Sequence, residues 1–166
     1  GWGNGIMGGL KLASSEYLGW THGDLQYDLC ILNEVYELIK NSENRKKNLL
    51  IKGLRKKRSF IANFFTKTMS FVASIIMCKR LNDINSQPNF FSRSIFNLFE
   101  NTPKDLMLDL YLYYKVSKLK DKTILRLPVT QQKRLHGSSS WKKSFFSNFS
   151  LSLNQLIGII KIRIRN

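Results

Sequence analysis

YLGWTHGDLQYD, residues 17–28, is the stretch on which the reading of this chain turns. Tyr17, Leu18, Gly19 and Trp20 run apolar or small up to Thr21, and His22, Asp24, Gln26 and Asp28 follow. The pattern predicts a buried strand that ends in a polar turn. In sheets built from alternating strands and helices, ligands gather outside the carboxyl ends of strands, where loops leave polar groups free to converge. Alternate residues of an extended chain project to the same side, so His22, Asp24 and Gln26 can reach one ion. The oxygens of Asp24 and Gln26 suit Mg2+ or Mn2+, and an imidazole in the set favours Mn2+. Such an ion would bridge the phosphates of a nucleotide and neutralise a departing diphosphate. The same spacing also describes an ordinary solvated turn in which Asp28 caps the next helix.

Before this stretch stands GWGNGIMGG, in which Gly3, Gly5 and Gly8 satisfy GxGxxG and Asp24 follows at the distance of a ribose-binding acid. That fingerprint needs a strand ahead of it, and none is present, so glycines that open a helix against a neighbouring strand explain the motif more simply. A helix is expected over residues 6–14, a strand over 17–21 and a helix over 29–41, with Leu29, Leu32, Val35, Tyr36 and Ile39 on its apolar face. RKKNLLIKGLRKKR, residues 45–58, holds eight basic residues in fourteen and reads as a strand followed by a basic loop. Residues 59–77 form a long apolar helix with Ile61, Phe64, Phe65, Met69, Val72, Ile75 and Ile76 on one face. Lys67 at its centre argues for a buried or interfacial helix rather than a membrane span. NDINSQPNFFSRSIF is a loop closing on Pro88, followed by an apolar stretch. TPKDLMLDLYLYYKVSKLK is a helix with Thr102 as cap, Pro103 in its first turn and Asp105 near its positive end. KTILRLPV alternates as a strand, a basic Ser-rich loop follows, and the closing LSLNQLIGIIKIRIRN is a helix or strand suited to a membrane surface. The alternation argues for an α/β fold.

With 166 residues, 43% of them hydrophobic, the chain can bury one sizeable core, and one domain is expected. The net charge of +16 is lopsided. Up to Asn44 there are six acids and two bases; from Arg45 on, five acids and 25 bases. That excess suits a phosphorylated ligand, an anionic membrane surface or nucleic acid. Cys30 and Cys78 lack a CxxC spacing, which points away from a zinc site or disulfide framework and toward a reducing compartment. No Ser/His/Asp or Cys/His arrangement is legible, and His136 reads as a loop histidine.

GNGIMGGLKLASSEYLGWTHGDLQYD resembles the glycine, helix, strand and acid segment of family 2 glycosyltransferases, whose signature ends in DADLQ. The likeness is to the branch of dolichyl-phosphate mannose synthases and bacterial polyprenyl-phosphate glycosyltransferases. It continues through the basic loop with Arg55 and Arg58, DINSQPNFFSR, and LPV followed by Arg134, Gly137, Ser139 and Trp141. The resemblance implies a GT-A fold, here its C-terminal portion, with a partial catalytic domain over residues 1–142 and a basic, apolar tail over 143–166 at the membrane interface. It implies transfer of a sugar from a GDP- or UDP-sugar to a polyprenyl phosphate, by a peripheral enzyme on the cytoplasmic face of a membrane and without nucleic acid. In matching positions Asp24 and Arg134 would be catalytic, and Asp24, Gln26 and His22 would hold Mg2+ or Mn2+. Arg55, Arg58, Arg134 and Ser139 would grip phosphates, and Asp83, Asn85 and Gln87 would form the loop beside the sugar. An acceptor phosphate is already an anion and needs no general base; the enzyme supplies position and charge neutralisation.

Departures from the family are specific. His22 replaces the first acid of DADLQ, Ala62 stands where a small polar residue follows the second loop arginine, and Ser140 replaces a Lys. Asp109 matches a place where relatives carry an acid, and either supports the site or pairs with Lys115. The family's first strand, its PxYNE-like segment and its nucleobase-binding Asp find no counterpart in this sequence, so the piece alone is expected to bind nucleotide poorly and turn over little. A non-catalytic scaffold that keeps the membrane-facing surface, or a nucleic-acid-binding domain stacking bases on Phe90 and Phe91, are the alternative expectations.

Overall fold

The computed structural model describes residues 1–24, 26–41, 47–132 and 145–165. Apolar periods along the chain become α1 (Trp2–Leu12), β1 (Tyr17–Trp20), α2 (Ile31–Asn41), β2 (Leu49–Lys56), α3 (Phe60–Met77), β3 (Asn89–Ser92), α4 (Arg93–Phe96), α5 (Leu108–Lys118), β4 (Thr123–Thr130) and α6 (Phe145–Arg165). The described residues thus make a mixed α/β fold, with one four-stranded sheet in the order β1-β3-β2-β4.

Leu49, Leu50 and Ile51 open β2 and are wholly buried, as an inner strand covered on both faces requires. β2 runs parallel to β4 over eight paired residues, from Leu49 with Thr123 to Lys56 with Thr130. β3 runs antiparallel to both its neighbours, β1 and β2. The carboxyl ends of β1, β2 and β4 and the amino end of β3 therefore share one edge of the sheet. Alternation along β2 sorts two cores. Leu50 joins Leu18, Trp20, Phe91 and the buried residues of α5, together with Ile159 and Ile162 of α6. Leu49 and Ile51 join Tyr27, Ile31, Val35, Leu127 and Val129 on the opposite face. At Gly53 the loop entering β3 comes so close that a Cβ would sit 2.0 Å from the carbonyl oxygen of Gln87. The Gly53 N–H donates to the carbonyl of Pro88 at 2.8 Å, so any side chain there displaces the loop.

Several boundaries and faces differ from expectation. α1 starts at Trp2, so the glycines lie inside a helix. In α2 the buried residues are Ile31 and Val35, while Leu29, ahead of the helix, and Leu32 and Tyr36 face outward. Thr102 does not cap α5; residues 102–107 form a turn in which Asp105 accepts from the Met107 N–H at 2.9 Å, and the helix begins at Leu108. α3 is capped by Ser59, whose hydroxyl accepts from the Ala62 N–H. Its buried side is Ser70, Ala73 and Met77, with Met69 and Ile76 packed on the core, whereas Ile61, Phe64, Phe65 and Ile75 stay exposed. The closing segment is the helix α6.

Candidate active site

Four connections meet at the shared edge: residues 21–24 and 26–28 after β1, 57–59 after β2, 82–88 before β3 and 131–132 after β4. Gln26 ties the first to the last. Its backbone carbonyl accepts from the Gln132 N–H at 2.8 Å, its Oε1 accepts from Gln131 Nε2 at 3.1 Å, and its Nε2 donates to the Gln132 carbonyl at 3.3 Å. Tyr27 is the hub. His22 stacks on its ring with centroids 5.5 Å apart. Burial raises the phenol's pKa, while the charges of Arg55 and Arg58 oppose the shift and those of Asp83 and Asp109 add to it. Of the expected residues, Arg55, Arg58 and Asp83 line one cavity, and His22 is joined to Tyr27.

Arg55 and Asp83 form the rim's ion pair. The Arg55 Nε donates to Asp83 Oδ1 and the Arg55 backbone N–H to Asp83 Oδ2, both at 2.9 Å, and the guanidinium closes a second contact. Burial pushes the Asp83 carboxyl up, but Arg55 outweighs it and holds the acid below its usual range. Asp83 is therefore spent on fixing Arg55 rather than offered to a sugar. Arg58 donates to the Ala62 carbonyl at 3.2 Å and to the Thr66 hydroxyl. The contact that Ala62 lacks as a side chain is thus met by its backbone and, a turn later, by Thr66. Arg55, Arg58, Asn63, Thr66, Lys67 and Asp83 line a cavity of about 380 Å³ beside β2.

Beneath this rim lies a buried polar floor that sequence reasoning missed almost entirely. Asp109 on α5 accepts from Trp20 Nε1 at 2.8 Å, Asn89 Nδ2 at 2.7 Å and Gln87 Nε2 at 3.2 Å. It thus supports the site and does not pair with Lys115, which lies over the Tyr111 ring. Lys52 donates to the Ser86 carbonyl at 2.8 Å and Asn89 Oδ1 at 2.9 Å and sits over the Tyr113 ring. Burial lowers the Lys52 pKa to about 7 against the pull of Asp109. Burial likewise raises the Asp109 carboxyl, opposed by Lys52 and its N–H donors. Arg126 braces the loop by donating to the carbonyls of Asn82 and Gly53 at 2.8 and 2.7 Å. The one sequence signal for this floor was a lysine inside LLIKGL, a cation in an otherwise apolar inner strand.

Asn85 Oδ1, Gln87 Oε1 and Thr21 Oγ1 are buried and find no hydrogen-bond partner among the described residues. Such oxygens leave their desolvation cost unmet unless a ligand supplies donors. A divalent cation fits only in part. His22 and Asp24 share the loop, but the Gln26 oxygen is engaged by Gln131, and Asp24 Oδ1 accepts from the Gln26 N–H at 3.3 Å. No cluster of three His, Cys, Asp or Glu forms among the described residues. Asp28 binds the Cys30 N–H at 2.9 Å at the start of α2, as a capping turn would. Arg134 and Ser139, with His136, Gly137 and Trp141, lie outside the described residues.

Comparison with known proteins adds nothing to this geometry: no family model, no curated protein and no solved structure matches the chain.

Proposed function

We propose that the chain carries the acceptor half of a glycosyltransferase site of the GT-A type, which passes a sugar from a nucleoside-diphosphate sugar to a polyprenyl phosphate at a membrane surface. The observation that carries the reading is the convergence of a cationic cavity, with Arg55 and Arg58 held in place, and an exposed apolar helix that starts two residues after Arg58. A phosphate with a long hydrocarbon tail needs both: guanidinium forks for the oxygens and an apolar path for the chain.

Arg55 is oriented by Asp83, and Arg58 by Thr66 and the Ala62 carbonyl, so the two guanidinia are fixed before an anion arrives and little ordering is left to binding. Lys56, Lys57 and Lys67 add further cations to the cavity wall. Asn85 Oδ1 and Gln87 Oε1, acceptors without donors among the described residues, suit the hydroxyls of a sugar. Asp24 is the residue that would hold Mg2+ or Mn2+, which when bound would neutralise the diphosphate; His22, in the same loop, would touch the same phosphates. Asp109 and Lys52 act from below, holding Gln87 and Asn89 and so the loop between α3 and β3.

Binding of farnesyl phosphate and of farnesol to the chain, followed by tryptophan fluorescence, tests the acceptor half directly. The reading expects the phosphate to bind at least tenfold more tightly, and R55Q with R58Q to erase the difference; equal binding of the two lipids overturns it. Sugar transfer in membranes from cells that express the native gene should fall to background with Asp24→Ala, and unchanged transfer would remove Asp24 from the site.

A further inference from the structure

A second cationic cavity, of about 230 Å³, lies between α6, which packs on α3, and the turn of residues 101–105. Thr102, Lys104, Lys161 and Arg165 line it, with Asp105 as the acid beside them. That acid is partly withdrawn, since its carboxylate accepts from the Met107 N–H at 2.9 Å. The backbone of the turn is held from outside: the carbonyl of Lys104 accepts from the Gly3 N–H at 3.1 Å. Gly158 lets α6 close on the turn, because a Cβ there would stand 2.7 Å from Met107 Cγ. Lys161 and Arg165 are one helical turn apart on the same face of α6. Leu153, Ile157, Ile160 and Ile164, spaced by four, three and four residues, form an exposed apolar ridge beside them. An anion pocket flanked by an apolar ridge is the geometry of a lipid interface, with phosphate at the headgroup level and hydrocarbon next to it.

We infer that this pocket binds the headgroup phosphate of an anionic phospholipid and so sets the orientation of the protein on its membrane. The inference rests on the membrane-surface part of the function proposed above and adds a phosphate site that is separate from the Arg55 and Arg58 cavity. α5 begins next to the pocket at Leu108 and carries the chain about 16 Å away by Lys118. Charges beyond that end therefore serve as controls.

Flotation of the 166-residue chain is measured with vesicles of phosphatidylglycerol and phosphatidylcholine, and with vesicles of phosphatidylcholine alone. The wild-type chain is expected to favour the anionic vesicles. K161Q with R165Q should lower that partition about twentyfold, and K120Q with K122Q less than about twofold, at an unchanged circular-dichroism spectrum. Thr102→Trp, which fills the cavity and keeps every charge, should lower it about fivefold. Equal losses in the two lysine and arginine pairs, or wild-type partition of Thr102→Trp, overturn the pocket in favour of diffuse charge. Equal partition of the wild-type chain to both vesicles removes the pocket but leaves the membrane reading standing, whereas absence of flotation with either removes both. Inorganic phosphate should release the protein no better than chloride at the same ionic strength. Selective release by phosphate, with saturable phosphate binding in the absence of vesicles, would assign the pocket to a soluble anion instead.

Discussion

α5 is closed in on every side, with residues 107–114 all buried, whereas α3, longer and more apolar, holds Phe60, Ile61, Phe64, Phe65, Phe71 and Ile75 out of the protein. Tyr111 and Tyr114 of α5 go inside because their hydroxyls find partners there. Tyr111 donates to the Glu100 carbonyl at 2.6 Å and accepts from the Glu100 N–H, and Tyr114 accepts from Arg163 at 3.2 Å. α3 has a mean hydropathy of 1.4 and is long and apolar enough to cross a bilayer, yet only 17% of it is buried. Burial in this fold follows position against the sheet and satisfied polar atoms, not the hydropathy of a helix. The aromatic face that α3 leaves open suits a second apolar medium.

Truncation inside α5 breaks the comparison most severely. Tyr111→Ala removes a ring that packs edge-on against Phe99 and strands the backbone of Glu100, and it should cost about 3–5 kcal/mol in urea unfolding. A loss below about 1 kcal/mol would mean that α5 is not the centre of the core.

How much of this was legible can be judged residue by residue. β2 and β4 were legible because an apolar run and an alternating run have few other homes, and the rim residues followed because they sit in the loops that such strands must end in. The face of α3 was misread because a helix that is apolar over more than half its circumference has no unique buried stripe, and Ser70 and Ala73 are buried because they allow close approach. In α2 the apolar arc was set to one side of the true one, which centres on Ile31 and Val35 with Leu38 and Ile39 packed beside them. The floor was illegible for another. Trp20, Lys52, Asn89 and Asp109 are far apart in sequence, and nothing local announces that Trp20 and Asp109 meet across 89 positions.

The next largest effect should come from that floor. Asp109→Ala takes the acceptor from three N–H donors at once and leaves Lys52 without its counter-charge, at a cost of about 3 kcal/mol. Asp109→Asn should cost only about 1 kcal/mol. The Gln87 Oε1 has no partner among the described residues, so a rotation of the Gln87 amide can accept the new N–H. Equal losses in the two variants would show that charge, not hydrogen-bond count, is what the floor requires.

Lys52 gives a smaller, pH-dependent signature. Its folded pKa of about 7 lies below the roughly 10.4 of an unfolded lysine, so between those values the unfolded chain holds the extra proton. Stability should therefore rise by up to a few kcal/mol from pH 7 toward pH 10. Tyr27 and Tyr111, whose pKa values are raised by burial, act in the opposite sense only above pH 10. Lys52→Met should abolish the rise, and a rise that survives the substitution would have to come from the general relief of positive charge.

The smallest effect on stability is expected where the exposed apolar area is greatest. Phe64 and Phe71 are 59% and 66% exposed, so replacing both with Ser forfeits few core contacts and should move the unfolding free energy by less than about 0.5 kcal/mol. If α3 lies against lipid, the same pair of substitutions removes two rings that each contribute about 1.5–3 kcal/mol on transfer from water, and partition to vesicles should fall at least tenfold. The two measurements together sharpen the contrast with α5: a residue pair that matters to the bilayer and not to the fold marks α3 as an interface. Loss of stability without loss of vesicle binding would instead mean that the aromatic face of α3 is covered by protein.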